Sequence, residues 1–182
     1  MKYYSYRPDA NAFAGVGFAT DASRIVNVHY SDTPMAGSWT APVAHGFEDN
    51  PEDNGDFPSL TTFRRIPVLS QRAWDCLRTL IGYCSEALPI VHPTGQQYYI
   101  IHVMDTIDAL NEHRSELWRN PVTGRVGDIS RYALDHGMIE GKRIFKLPRE
   151  SGGELLVDDE FRKAVETNRL KGLLFKELQL VD

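Results

Sequence analysis

Five carboxylates crowd twelve residues of this chain. Glu48, Asp49, Glu52, Asp53 and Asp56 lie between Gly46 and Phe57, with no Lys or Arg among them. A negative patch of this kind can dock a basic protein face, because complementary charge speeds encounter and selects the partner. The same residues also read as a solvated surface loop, held open by its own repulsion. A calcium loop of the EF-hand type needs oxygen ligands at its first, third and fifth positions, Gly at the sixth and Glu at the twelfth. With Gly55 at the sixth position, Thr61 falls at the twelfth, so the bidentate Glu is missing.

Other reactive side chains are scattered. His29, His45, His92, His102, His113 and His136 form no HxH, HxxxH or HExxH spacing. His102 lies in an apolar run and reads as a hydrogen-bonded core residue. Asp105, Asp108 and Glu112 precede His113 and could suggest acid–base work. Asp105 reads more simply as a cap on the turn after a strand. Ser85 and Ser151 have no GxSxG elbow around them. Cys76 falls on the inner face of an expected helix, where a nucleophile lacks exposure and a lowered pKa. Gly15-Val16-Gly17 is only GxG, short of a dinucleotide fingerprint. Two tryptophans stand in turn-rich surroundings, Trp39 in GSWTAP and Trp118 after RSEL. Each reads either as a lid on the core or as an exposed anchor of the kind favoured at interface hot spots.

The elements that must position these residues follow from periodicity. Residues 1–6 read as an aromatic strand, 10–20 as a loop or bulged strand around Gly15 and Gly17, and 24–30 (RIVNVHY) as a second strand. Residues 31–42 are turn-rich and 45–58 are an acidic loop. Ser70 is an N-cap candidate for a helix to about Tyr83. In that helix Trp74, Leu77, Leu80, Ile81 and Cys84 recur at helical spacing and face the core. Strands follow at 88–91 and 97–105, the second apolar enough to be central. A strand at 144–147, a Gly152-Gly153 turn and a strand at 155–157 lead to Asp158. This residue caps a helix with Phe161, Ala164 and Val165 as its buried stripe. Gly172 follows the helix, and a strand at 173–180 closes the chain. Strands interleaved with two main helices predict an α+β fold with a mostly antiparallel sheet. A loop- and strand-rich part is expected at 1–62 and a regular α+β domain at 63–182.

The bulk properties are those of a globular chain that needs no staple. Its 182 residues are 42% hydrophobic and 25% charged, enough to bury most of their apolar surface. Cys76 and Cys84 are too few for a disulfide framework and read as small core hydrophobes. A net charge of −5 argues against a nucleic-acid binder and suits a basic partner. The start, MKYYSYRPDANAF, has no apolar core of a secretory signal. No run reaches the eighteen apolar residues of a membrane span. A cytoplasmic location is expected, with no membrane contact.

The order of several segments carries a resemblance. They are PVLSQRAWDCLRTL (67–80), LPIVHPTGQQYYIIHVMDTIDAL (88–110), HRSELW (113–118) and RIFKLPRESGGELLVDDEFRKAVETNRLKGLLFKELQL (143–180). Together they resemble an immunity-protein family of bacterial polymorphic toxin systems, the eleventh class of such proteins. The resemblance spans about 63–180, and the first sixty residues follow it only loosely. It implies a protein that binds and silences a cognate toxin domain, without catalytic residues or a cofactor. The expected partner-binding residues, drawn from the sequence alone, are Glu48, Asp49, Glu52, Asp53, Asp56, Trp39 and Trp118. A toxin that attacks nucleic acid carries a basic face, so a nuclease-like toxin is the favoured partner. Two rival readings are a small hydrolase or transferase with a site built from scattered His and Asp, and a regulatory ligand-binding module.

Overall fold

The structure is a computed structural model that describes residues 2–20, 22–47, 49, 51–61, 63 and 65–180. Its strands are β1 (Tyr3–Pro8), β2 (Val68–Ser70), β3 (Ser85–Val91), β4 (Gln97–Val103), β5 (Glu116–Arg119), β6 (Val126–Arg131), β7 (Ile144–Lys146), β8 (Leu155–Asp158) and β9 (Leu173–Glu177). The helices are α1 (Ala22–Tyr30), α2 (Gln71–Ile81), α3 (His136–Ile139) and α4 (Asp159–Thr167), with a single 3-10 turn at Ala36–Ser38. The fold is α+β, and the strands within each sheet pair antiparallel.

A four-stranded sheet has the order β7-β8-β1-β9, so the first strand of the chain lies between two of the last. Alternation gives β1, β7 and β8 two buried faces, while the edge strand β9 stays partly exposed. Tyr4, Tyr6, Leu155 and Val157 point to one side, where Phe57, Phe161 and α2 pack. Tyr3 and Leu156 point to the other, against Phe145, Ile139 and Leu178. A three-stranded sheet, β2-β4-β3, has the expected apolar strand β4 at its centre. Its Leu69 and Ile101 join the core shared with α2 and α4, while Val68, Leu88, Ile90 and Ile100 pack toward α1. The layers therefore run from α1 through the small sheet, the α2–α4 core and the large sheet to the β5–β6 hairpin.

The main helices form as their caps and stripes predict. The Ser70 hydroxyl accepts from the Ala73 amide at 3.1 Å, and Ala73, Leu77 and Ile81 are buried along one face of α2. Asp158 accepts from the Phe161 amide at 2.9 Å, and Phe161 and Val165 face inward from α4.

The expected strand at 24–30 is instead the helix α1. Ile25, Val28 and His29 are its buried residues, a spacing of three and four that only a helix places on one face. The run of β-branched residues resembles a strand locally, and burial against the small sheet overrides that preference. Lysine stabilises the C-terminal end of this helix. Lys146 on β7 donates to the carbonyls of His29 at 2.7 Å and Ser31 at 3.0 Å, which complements the negative end of the helix dipole.

Candidate functional site

The acidic loop divides into two parts. Asp49, Glu52 and Asp53 are exposed, and none has an ion-pair partner among the described residues. Asp56 is buried, 8% exposed, and its polar atoms are committed internally. Its carboxylate accepts from the Ser70 hydroxyl at 2.7 Å, from Arg72 at 3.0 Å and from the Lys171 amide at 2.9 Å. Its amide donates to the Lys171 carbonyl at 2.7 Å. Asp56 thus ties the start of α2 to the turn before β9. Glu48 lies outside the described residues.

The two tryptophans also differ. The Trp39 indole N–H donates to the Pro89 carbonyl at 2.9 Å, and the Arg24 guanidinium sits 4.6 Å from the ring centre. That places Trp39 over the outer edge of β3, half-buried. Trp118 on β5 is 57% exposed. It lies flat against β6 because Gly127 has no side chain there; a Cβ at 127 would meet the indole at 2.5 Å. The structure does not bring Trp39 and Trp118 together with the carboxylates into one cluster of contacts.

A groove that the sequence does not reveal lies beside the acidic loop. One face of the large sheet is covered at its Tyr3 end and bare at its Arg7 end. Arg7 stands opposite Leu174 and Ser5 opposite Lys176 across the β1–β9 pair. With Asp128, Ile129 and Tyr132, together with Arg65 and Glu154, they enclose about 460 Å³. Asp9 at the end of the groove belongs to the turn that leads to Ala14, whose amide donates to the Asp53 carbonyl at 2.9 Å. The groove and the acidic loop are therefore neighbours along the segment 9–14.

His29, His92 and His102 are buried in the fold, as are several charges, while His45 and His136 are exposed. His102 is fully buried, its Nδ1 2.9 Å from Glu86 and its Nε2 2.8 Å from the Ser31 carbonyl. Burial pushes the Glu86 carboxyl up, but the hydrogen bonds from His102, Met35 and Ala36 outweigh it and hold it below its usual value. Burial lowers the Lys146 ammonium, against the attraction of Asp32 at 3.1 Å. Burial also lowers His29 to about 4, although its Nε2 lies 2.8 Å from the Gly153 carbonyl. Asp105 is held by Lys142 at 2.8 Å, and Glu112 by Arg119 and Ser151. Asp108 and His113 stay exposed. Burial raises the Cys84 thiol to about 11, which makes it a weak nucleophile at neutral pH. Among the described residues, no group of three His, Cys, Asp or Glu is placed to hold a metal ion. Also among them, no helix is long and apolar enough to cross a membrane.

The exposed features are three carboxylates unpaired among the described residues, an exposed indole and a groove of mixed charge. No match is found among curated proteins. Residues 91–179, from the last position of β3 to the stretch beyond β9, match the model of the Immunity protein family (Imm11).

Proposed function

We propose that this protein neutralises a cognate bacterial toxin by stoichiometric binding, in the cytoplasm and without a cofactor. The family match over 91–179 carries this reading. The exposed carboxylates Asp49, Glu52 and Asp53 support it, since a basic partner relieves their mutual repulsion. They lie outside the matched segment, as a partner-selecting loop on a shared framework can. Trp118 lies inside it and supplies an aromatic anchor of the type that dominates binding energy. The favoured partner is a nuclease-like toxin, whose substrate demands a basic surface. A complex of ordinary stability needs about 800 Å² of surface from each side.

The test is co-expression with the product of the neighbouring gene. Rescue of growth together with co-purification is the expected result. Growth arrest that persists despite folded, abundant protein would remove the reading.

A further inference from the structure

We propose that the groove between the bare end of the large sheet and β6 receives an extended segment of the toxin. An acidic side chain of that segment faces Arg7 and Lys176, and an apolar one lies on Leu174. This rests on the immunity reading and assigns it a second contact surface, next to the acidic loop.

Charge on the groove floor favours an acidic occupant. Arg7 and Lys176 are diagonal neighbours on one face of an antiparallel pair, close enough to repel. Both are exposed, and neither has a carboxylate partner among the described residues. Among the described residues other exposed cations are paired, such as Lys2 with Glu177, Arg131 with Glu116 and Lys163 with Glu160. Arg125, Arg149, Arg169 and Lys171 also lack a carboxylate but stand apart from the groove lining. The carboxylates around the groove are largely committed elsewhere. Asp9 accepts from the amides of Asn11 and Ala12 at 3.2 Å, and Glu154 holds Arg65 at 3.4 Å. Asp128, on the groove wall, has no hydrogen-bond or ion-pair partner among the described residues. Two cations thus remain on the floor and one carboxylate on the wall, in a chain of net charge −5. A polyanion such as nucleic acid meets Asp9, Asp128 and Glu154 at the rim and is disfavoured. A peptide that carries a single acidic side chain fits.

The shape of the groove favours an extended occupant. Leu174 is 50% exposed on the floor, with Ile129 and Tyr132 beside it. β9 is the edge of its sheet, and among the described residues its outer side pairs with no strand. An extended segment can therefore take backbone hydrogen bonds from β9 while its alternate side chains reach the groove. The segment 9–14 joins the groove directly to the acidic loop, so one partner can touch both.

The experiment uses the full-length protein and the purified, catalytically inactivated product of the neighbouring gene. Binding is measured by calorimetry for the wild type, the Arg7→Glu/Lys176→Glu pair, the neutral Arg7→Gln/Lys176→Gln pair and the distant Arg78→Glu. Hydrogen exchange of β9 is followed in the complex. The expected result is a Kd weakened at least tenfold by the double charge reversal and less by the neutral pair. Arg78→Glu should change it by less than twofold, and amides of 173–177 should gain protection. Unchanged affinity of both groove pairs, alongside a tight wild-type complex, would overturn the groove proposal and leave the immunity reading standing. A wild-type protein that forms no complex would overturn both. A homodimer that the charge reversal breaks would identify a second copy as the occupant and also overturn the proposal.

Discussion

Asp158 is fully buried at the start of α4, where it caps the helix and also pairs with Arg143 at 2.6 Å. An exposed N-cap contributes about 1 kcal/mol, whereas breaking a buried ion pair costs about 3–5 kcal/mol. Arg143 is partly exposed and can rehydrate, so Asp158→Ala is expected to cost about 2–3 kcal/mol. Phe161→Ala should cost about 3–5 kcal/mol through lost transfer energy and a cavity, because Phe161 is 1% exposed. Urea titration of both variants checks this. A loss near 1 kcal/mol for Asp158→Ala would leave the ion pair without a share in stability. His29 gives a pH test. Burial holds its imidazole neutral in the fold to about pH 4, while the unfolded chain takes up the proton near pH 6.5. Between those values the unfolded state binds more protons, so stability is full above about pH 6.5 and declines as pH falls toward 4. The decline from this residue is about 3 kcal/mol at 1.36 kcal/mol per pH unit. His29→Gln keeps a donor for the Gly153 carbonyl and should flatten that part of the profile. An unaltered pH dependence in the variant would place the titrating group elsewhere.

At the scale of elements, the outer edge of β3 is the exposed liability, and the segment 35–44 covers it. Glu86 holds the amides of Met35 and Ala36. Trp39 donates to Pro89, and Val91 exchanges backbone hydrogen bonds with Pro42 and Ala44. Covering an edge in this way prevents pairing with another chain. Trp39→Ala should lower stability by about 1–3 kcal/mol, less than a fully buried tryptophan, and should raise self-association. Light scattering over a range of concentrations checks the second effect, and a variant that stays monomeric would show the edge protected without the indole. The helix caps at Ser70 and Asp158 and the central position of β4 were legible because local chemistry and period agreed. Residues 24–30 were not, since Ile25, Val26 and Val28 satisfy a strand pattern until burial chooses the helical face. The end of α4 was read through Gly172, which does take a positive φ of 99°, but the helix stops earlier, at Thr167, and Arg169 with φ 51° makes the first left-handed step. Its amide and that of Leu170 reach back to Glu166 and Val165 and close the helix. The groove was illegible for a topological reason: Arg7 and Lys176 meet only because β1 inserts beside β9.

In the whole molecule a layered α+β framework carries the acidic loop and the groove side by side. Charge in the acidic loop should act on encounter more than on residence. Replacing Asp49, Glu52 and Asp53 with amides is expected to slow toxin association and leave dissociation nearly unchanged, as rim charges do. The slowing should shrink as salt rises, because exposed charges are screened beyond about 10 Å at 0.1 M. Surface plasmon resonance at two salt concentrations checks this; equal association rates at low salt would make the loop a solvated one. Asp56 belongs to a different experiment, because its replacement should lower stability through Ser70, Arg72 and Lys171. The proposed inhibition is stoichiometric, one protein to one toxin domain. The most direct measurement titrates the purified protein into a fixed amount of active toxin domain and follows toxin activity. The expected result is a linear loss that ends at one equivalent, with a 1:1 complex on a sizing column. Loss of activity at a small fraction of an equivalent, with the toxin chemically altered and no complex retained, would contradict it.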